Sequence, residues 1–136
     1  MKNIIFTLLL FLQYAHAYDN NYYYYKNGQK TDLIPITKNA RDISKTNYYQ
    51  TSQGIILGVT NKLIVKIDNT EYLQQISNDF NITLEKELGN NIYLFTTQDN
   101  TRTLDIANKL TQEKYIKYAH PDFIKRRFFR WEQYNT

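Results

Sequence analysis

Between Leu63 and Ala119 the apolar residues recur with two spacings, about 2 and about 3.6 residues, which mark strands and helices respectively. Leu63-Ile64-Val65-Lys66-Ile67 reads as a strand. Asp68-Asn69-Thr70 interrupts it with short polar side chains of the kind that satisfy the orphan N–H groups of a helix start. Tyr72, Leu73, Ile76 and Phe80 then fall within one arc at about 100° per residue, so Glu71 to Asp79 predicts an amphipathic helix. Ile82 to Leu88 alternates, Gly89-Asn90-Asn91 turns the chain, and Ile92 to Thr97 is a further strand. Asn100-Thr101 suits the start of a second helix with Leu104, Ile106, Ala107 and Leu110 as its buried stripe. Ile116 to Ala119 gives a last strand, which Pro121 ends.

The order β-α-β-β-α-β over 61–124 predicts an α+β, ferredoxin-like sandwich: an antiparallel four-stranded sheet with two helices on one face. An N-terminal section rich in β-hairpins, 18–60, precedes it. Tyr22 to Lys26 and Gln29 to Ile36 flank Asn27-Gly28, whose tolerance of positive φ makes it the strongest short hairpin signal. Pro35 confines the second strand to an edge or ends it. Thr37 to Thr46 reads as a polar connector. A second hairpin joins Tyr48–Thr51 to Ile55–Val59 through Ser52-Gln53-Gly54. A basic and aromatic tail, 125–136, closes the chain.

The first seventeen residues stand apart from this pattern. Lys2, the apolar run from Ile4 to Leu12 and Ala15-His16-Ala17 predict a signal peptide cleaved near Ala17, and hence a periplasmic or extracellular protein. That run is too short to span a bilayer of about 30 Å, so no stable membrane anchor is expected. Removing Lys2 with the leader leaves sixteen Lys and Arg against thirteen Asp and Glu, a net charge of +3. This is a weak excess for a nucleic-acid binder, and Ile92 to Thr97 lacks the signature run of RNA-recognition strands. The absence of cysteine excludes disulfides and thiolate metal sites.

With Leu63, Val65, Ile67, Ile82, Leu84, Ile92 and Leu94 turned toward the helices, alternation sends Ile64, Lys66, Thr83, Glu85, Glu87, Tyr93 and Phe95 outward. Ile64, Tyr93 and Phe95 then form an apolar patch rimmed by carboxylates. It serves either as a partner surface or as the seat on which the N-terminal hairpins fold. His120 is the only histidine after the leader, without spaced ligands or a nucleophile beside it. It reads as structural, and neither metal nor cofactor is expected. Lys125-Arg126-Arg127 with Phe128, Phe129, Arg130 and Trp131 reads as a solvated tail, a substrate-like or dibasic processing segment, or an anionic-surface contact.

The segments Leu63 to Ile67, Leu84 to Gly89, Ile92 to Phe95 and Leu104 to Leu110, with the close Tyr118-Ala119-His120-Pro121-Asp122-Phe123, together resemble N-terminal propeptides of secreted subtilisin-like serine proteases. The likeness covers 57–124, about half the chain, and no protease domain follows within these 136 residues. It implies a non-catalytic inhibitor or intramolecular chaperone of a subtilisin-like protease, acting in trans or left from a truncated precursor. Ile64, Glu85, Glu87, Tyr93 and Phe95 would dock the enzyme. His120, Pro121, Asp122, Phe123, Lys125, Arg126 and Arg127 would enter its cleft, the tail pairing there as an added strand. The second expectation is an exported β-rich protein-interaction module with an unrelated partner.

Overall fold

The computed structural model describes residues 22–36 and 46–125. The expected signal peptide, most of the polar connector, Arg126, Arg127 and the rest of the tail lie outside the described residues.

The first two strands, β1 (Tyr23–Lys26) and β2 (Gln29–Pro35), form the hairpin that Asn27-Gly28 announces. Asn27 and Gly28 sit at φ 51° and 76°, the pair of positive values a two-residue type I′ turn demands. Pro35 ends β2 opposite Tyr49 of β3 (Asn47–Thr51), so the ring's missing N–H falls where the strand stops. β3 then turns into β4 (Ile56–Val59) through Gly54 at φ 83°. Only Thr60 and Asn61 separate β4 from β5 (Lys62–Ile67), which begins a different sheet.

After β5, Asn69 accepts a hydrogen bond from the Glu71 N–H at 3.0 Å and starts a single 3-10 turn, Thr70–Tyr72. This runs on into α1 (Leu73–Phe80). Asn81, at φ 53°, stops that helix in the left-handed conformation that Asn tolerates better than most residues. Next come β6 (Thr83–Gly89) and β7 (Ile92–Thr96), joined by Asn90 and Asn91, again both at positive φ. α2 (Asn100–Thr111) is capped by Asp99, whose carboxylate accepts from the Thr101 N–H at 2.9 Å; the cap lies one residue before the expected Asn100-Thr101. β8 (Ile116–Pro121) and β9 (Ile124–Lys125) complete the described chain.

The sheets are all antiparallel. One runs β1-β2-β3-β4-β9 and the other β6-β7-β5-β8. The expected α+β ferredoxin-like sandwich is therefore corrected: the protein is mostly β, two antiparallel sheets of five and four strands with two short α-helices among the described residues. The physical reason lies at both ends of the pattern. Strands β1 to β4 build a second sheet in their own right, and the chain after β8 leaves its first sheet to join it beside β4, Gly58 opposite Ile124 and Leu57 opposite Lys125.

α2 lies between the two sheets and serves both. Ile106 and Leu110 join the larger core with Leu63, Val65, Ile67, Tyr93 and Phe95, while Leu104 joins a smaller one with Leu33, Tyr49, Leu57 and Val59. Asn108 of the same helix donates from Nδ2 to the Tyr23 carbonyl at 2.8 Å, tying hairpin β1–β2 to the helix. The N-terminal sheet thus packs against α2 and β8.

That opposite face also differs from expectation. β7 pairs Phe95 with Leu63 and Tyr93 with Val65, so both rings point into the helix-side core, 0% and 5% exposed. The expected outward Tyr93 and Phe95 are corrected, and Leu94 and Ile92 take the other face beside Ile64. Ile-Tyr-Leu-Phe is apolar at every position, so period alone cannot choose its face, and a one-residue slip inverts all four.

Candidate functional site

At the end of β8 the chain crosses from one sheet to the other. The Asp122 N–H donates to the Lys62 carbonyl at 2.9 Å, Pro121 is buried, and Phe123 packs against the smaller core. The crossing leaves a cleft of about 620 Å³ between the tip of hairpin β1–β2 and strands β8 and β9.

Its wall is a row of rings. Tyr118 and His120 alternate onto the same face of β8, centroids 5.7 Å apart and planes 19° apart. His120 and Phe123 follow at 6.4 Å and 4°, and Tyr24 meets Phe123 edge-on at 4.8 Å. His120 Nδ1 lies 2.9 Å from the Pro121 carbonyl, which can only accept, so Nδ1 carries the proton in this contact. Tyr25 closes the hairpin side, its hydroxyl 3.2 Å from Gln112 Nε2 of α2.

Lysines surround the rings. Lys26, Lys117 and Lys125 line the cleft, all exposed, against the single carboxylate of Asp122. Lys117 owes its place to a β-bulge. Ile67 pairs with Ile116 and Lys66 with Tyr118, so Lys117 is the extra residue that the partner strand does not match.

The outer edge of β8 is poorly suited to strand addition. Pro121 brings no N–H, and the Ala119 carbonyl accepts from the Thr111 hydroxyl at 3.2 Å.

Of the expected docking patch, Tyr93 and Phe95 are core residues. Ile64 is half-buried on the other face, opposite His120 and Leu94. Glu85 is bound within the protein: it pairs with Lys62 and accepts from the Thr96 hydroxyl at 3.0 Å. The Lys62 hydrogen bond, with that of Thr96 next, holds its carboxyl below the usual range. Glu87 stands exposed on β6, opposite Tyr93. These residues do not assemble into one surface.

The C-terminal set does come together. His120, Pro121, Asp122, Phe123 and Lys125 all line the cleft. The expectation of a tail free to pair with an enzyme is corrected for Ile124 and Lys125, which pair with β4 of their own chain. Sequence reading missed Tyr24, Tyr25, Lys26 and Lys117. The Asn27-Gly28 turn located the hairpin tip, but nothing local announces that this tip meets β8 some ninety residues later.

Among the described residues no group of three or more His, Cys, Asp or Glu side chains is placed to hold a metal ion. No helix of the described residues is long and apolar enough to cross a membrane.

A family model described as the open reading frame 2 N-terminal domain matches residues 13–128. The chain belongs to this family. The match takes in both sheets, and it begins before the expected cleavage point at Ala17. It overturns the resemblance to subtilisin propeptides and the peptidase S8 assignment that came with it. The residues behind that resemblance have another explanation here: Pro121 and Phe123 end one strand and anchor the crossing to the next sheet. No curated protein and no solved structure matches the chain.

Proposed function

We propose that the protein is a non-catalytic recognition module, exported from the cell that makes it, which holds a partner in the cleft between hairpin β1–β2 and the β8–β9 crossing. One observation carries the reading: Tyr24 of the N-terminal hairpin meets Tyr118, His120 and Phe123 of the β8–β9 crossing in one cleft with lysines around it. Aromatic side chains offer a large contact area at a small entropy cost and recur where partners bind. Support for export comes from the leader pattern of Lys2, the run to Leu12 and Ala15-His16-Ala17.

The test is site-specific crosslinking in the native cell. Benzoylphenylalanine in place of Tyr118 is expected to give a discrete adduct, and the same group in place of Lys86, on distant β6, none. Excess unlabelled protein should compete the adduct away, whereas protein carrying Lys26→Glu, Lys117→Glu and Lys125→Glu should not. An adduct at position 86 alone, or none at either, overturns the cleft as the site. Sequencing the N-terminus of the exported form tests the other half, with Tyr18 expected first.

A further inference from the structure

Resting on that reading, we propose that the cleft takes an acidic peptide segment of the partner, in which an aromatic side chain lies beside two or more carboxylates. The partner's ring packs against the row formed by Tyr118, His120 and Phe123, and its carboxylates meet the ammonium groups of Lys26, Lys117 and Lys125.

Three features select this chemistry. The first is charge: the cleft presents three lysines against Asp122 alone, so its complement is anionic. The second is the rings, since Tyr118, His120 and Phe123 stand nearly parallel, 19° and 4° between successive planes. Parallel aromatic walls favour another flat ring in offset or edge contact, worth about 0.5–1.5 kcal/mol beyond the area it buries. The third is the edge of β8. Pro121 and the Thr111 hydroxyl on the Ala119 carbonyl remove pairing groups there, so a partner gains little by lying down as a strand. Side chains must supply the affinity, and the segment can be short.

A single strand of nucleic acid shares part of this chemistry, flat bases with a negative backbone. The lysines decide against it. Such a backbone carries one charge per nucleotide and binds by neutralising many phosphates in a row, whereas this cleft lines its rings with three lysines.

The probe is a synthetic peptide with one tryptophan between two pairs of glutamates, titrated into the full chain by calorimetry. Binding in the micromolar to submillimolar range is expected at low salt, weakening as salt rises. Replacing the peptide's tryptophan with alanine should weaken binding about tenfold, and replacing its glutamates with glutamine by a similar factor. Lys117→Glu with Lys125→Glu should do the same, circular dichroism confirming that this exposed pair leaves the fold intact. Affinity insensitive to either peptide change overturns the proposal, as does tighter binding of a short oligothymidylate. If the peptide fails to bind while the position-118 adduct still forms and the triple-lysine protein still cannot compete, the ligand class is wrong and the cleft stands. If that adduct is absent too, both readings fall.

Discussion

The two sheets of this protein are held in different ways. The four-stranded sheet closes over a core of eleven buried residues, drawn from all its strands except β6 and from both helices. The five-stranded sheet has five, and one of these, Leu104, is lent by α2. Phe123, arriving from β8, packs against the same small core. The N-terminal sheet therefore leans on the other one, through a helix residue and a crossing residue. Since that crossing also forms the cleft wall, the weaker half of the molecule carries half of the candidate site.

Core truncations probe this imbalance most strongly. Phe95→Ala removes a ring with 0% exposure at the centre of the larger core, and such changes cost about 3–5 kcal/mol. Against a total stability of about 5–15 kcal/mol this is a large fraction, and a steep fall in the melting temperature of the whole molecule is the expected result. Leu33, equally enclosed, belongs to the smaller core. Leu33→Ala is expected to cost about 2–4 kcal/mol, but in a different way. Hydrogen exchange should rise in β1 to β4 first, while β5 and β7 keep their protection. Equal loss of protection in both sheets would mean that they unfold as one unit and that the unequal cores make no difference to their stability.

The next effect is at Gly58. A Cβ there would stand 2.8 Å from Thr46 Cγ2, 2.9 Å from Tyr48 Cε1 and 3.3 Å from Ile124 Cβ. Nothing larger than glycine fits where β3 and β9 side chains close over β4. Gly58→Ala is expected to destabilise by about 1–3 kcal/mol, the range for overpacking. Because Ile124 must move, the pairing of β9 with β4 should loosen, and the peptide of the calorimetric test should bind more weakly. A stability loss with unchanged peptide affinity would separate β9 from the cleft.

Asn108 tests the join between the halves. Its Nδ2 bonds the Tyr23 carbonyl, while its buried Oδ1 has no hydrogen-bond partner among the described residues. Asn108→Ala deletes the tie and the unsatisfied oxygen together, so the net cost should be only about 1 kcal/mol. The informative readout is local: amides of hairpin β1–β2 should exchange faster, with α2 unchanged.

The sequence made one half of this comparison easier to read than the other. Hairpins are local events, and Asn27-Gly28 announces the first as plainly as the left-handed φ values confirm it. The helices too are written in their periods, Ile76 and Leu110 falling where the stripes put them. What the sequence withholds is the relation between distant parts. β7 is apolar on both faces, so its register had to come from pairing with β5, and Tyr93 and Phe95 were assigned to the wrong side. β6 alternates convincingly, yet every residue of it is exposed and two bulges interrupt its pairing, since an outer strand can carry a pattern without burying a face. At the site, His120 to Phe123 drew notice as a chain ending. Their actual role, the crossing between two sheets, depends on β4, which lies sixty residues earlier.

The smallest expected effects are electrostatic, and they sharpen the comparison because two depressed carboxylates sit in different places. Glu85 belongs to the four-stranded sheet alone, where Lys62 first and Thr96 second lower its pKa. Asp99, lowered by the Thr101 N–H, caps the helix that both sheets share. A carboxyl whose folded pKa is depressed adds stability above its unfolded pKa, and loses it as pH falls through the folded value. Both contributions therefore vanish in the acid range, and both are small, because the groups are exposed and screened. Lys62→Ala should return the Glu85 titration midpoint, followed by carboxyl NMR, toward that of an ordinary glutamate while leaving β1 to β4 untouched. Asp99→Ala should flatten the acid dependence of hydrogen exchange in both sheets at once, since the fraying α2 carries Leu104 on one side and Ile106 on the other. An Asp99 effect confined to the four-stranded sheet would show that the N-terminal sheet holds its small core without the helix, and the dependence of one half on the other would fail at its central contact.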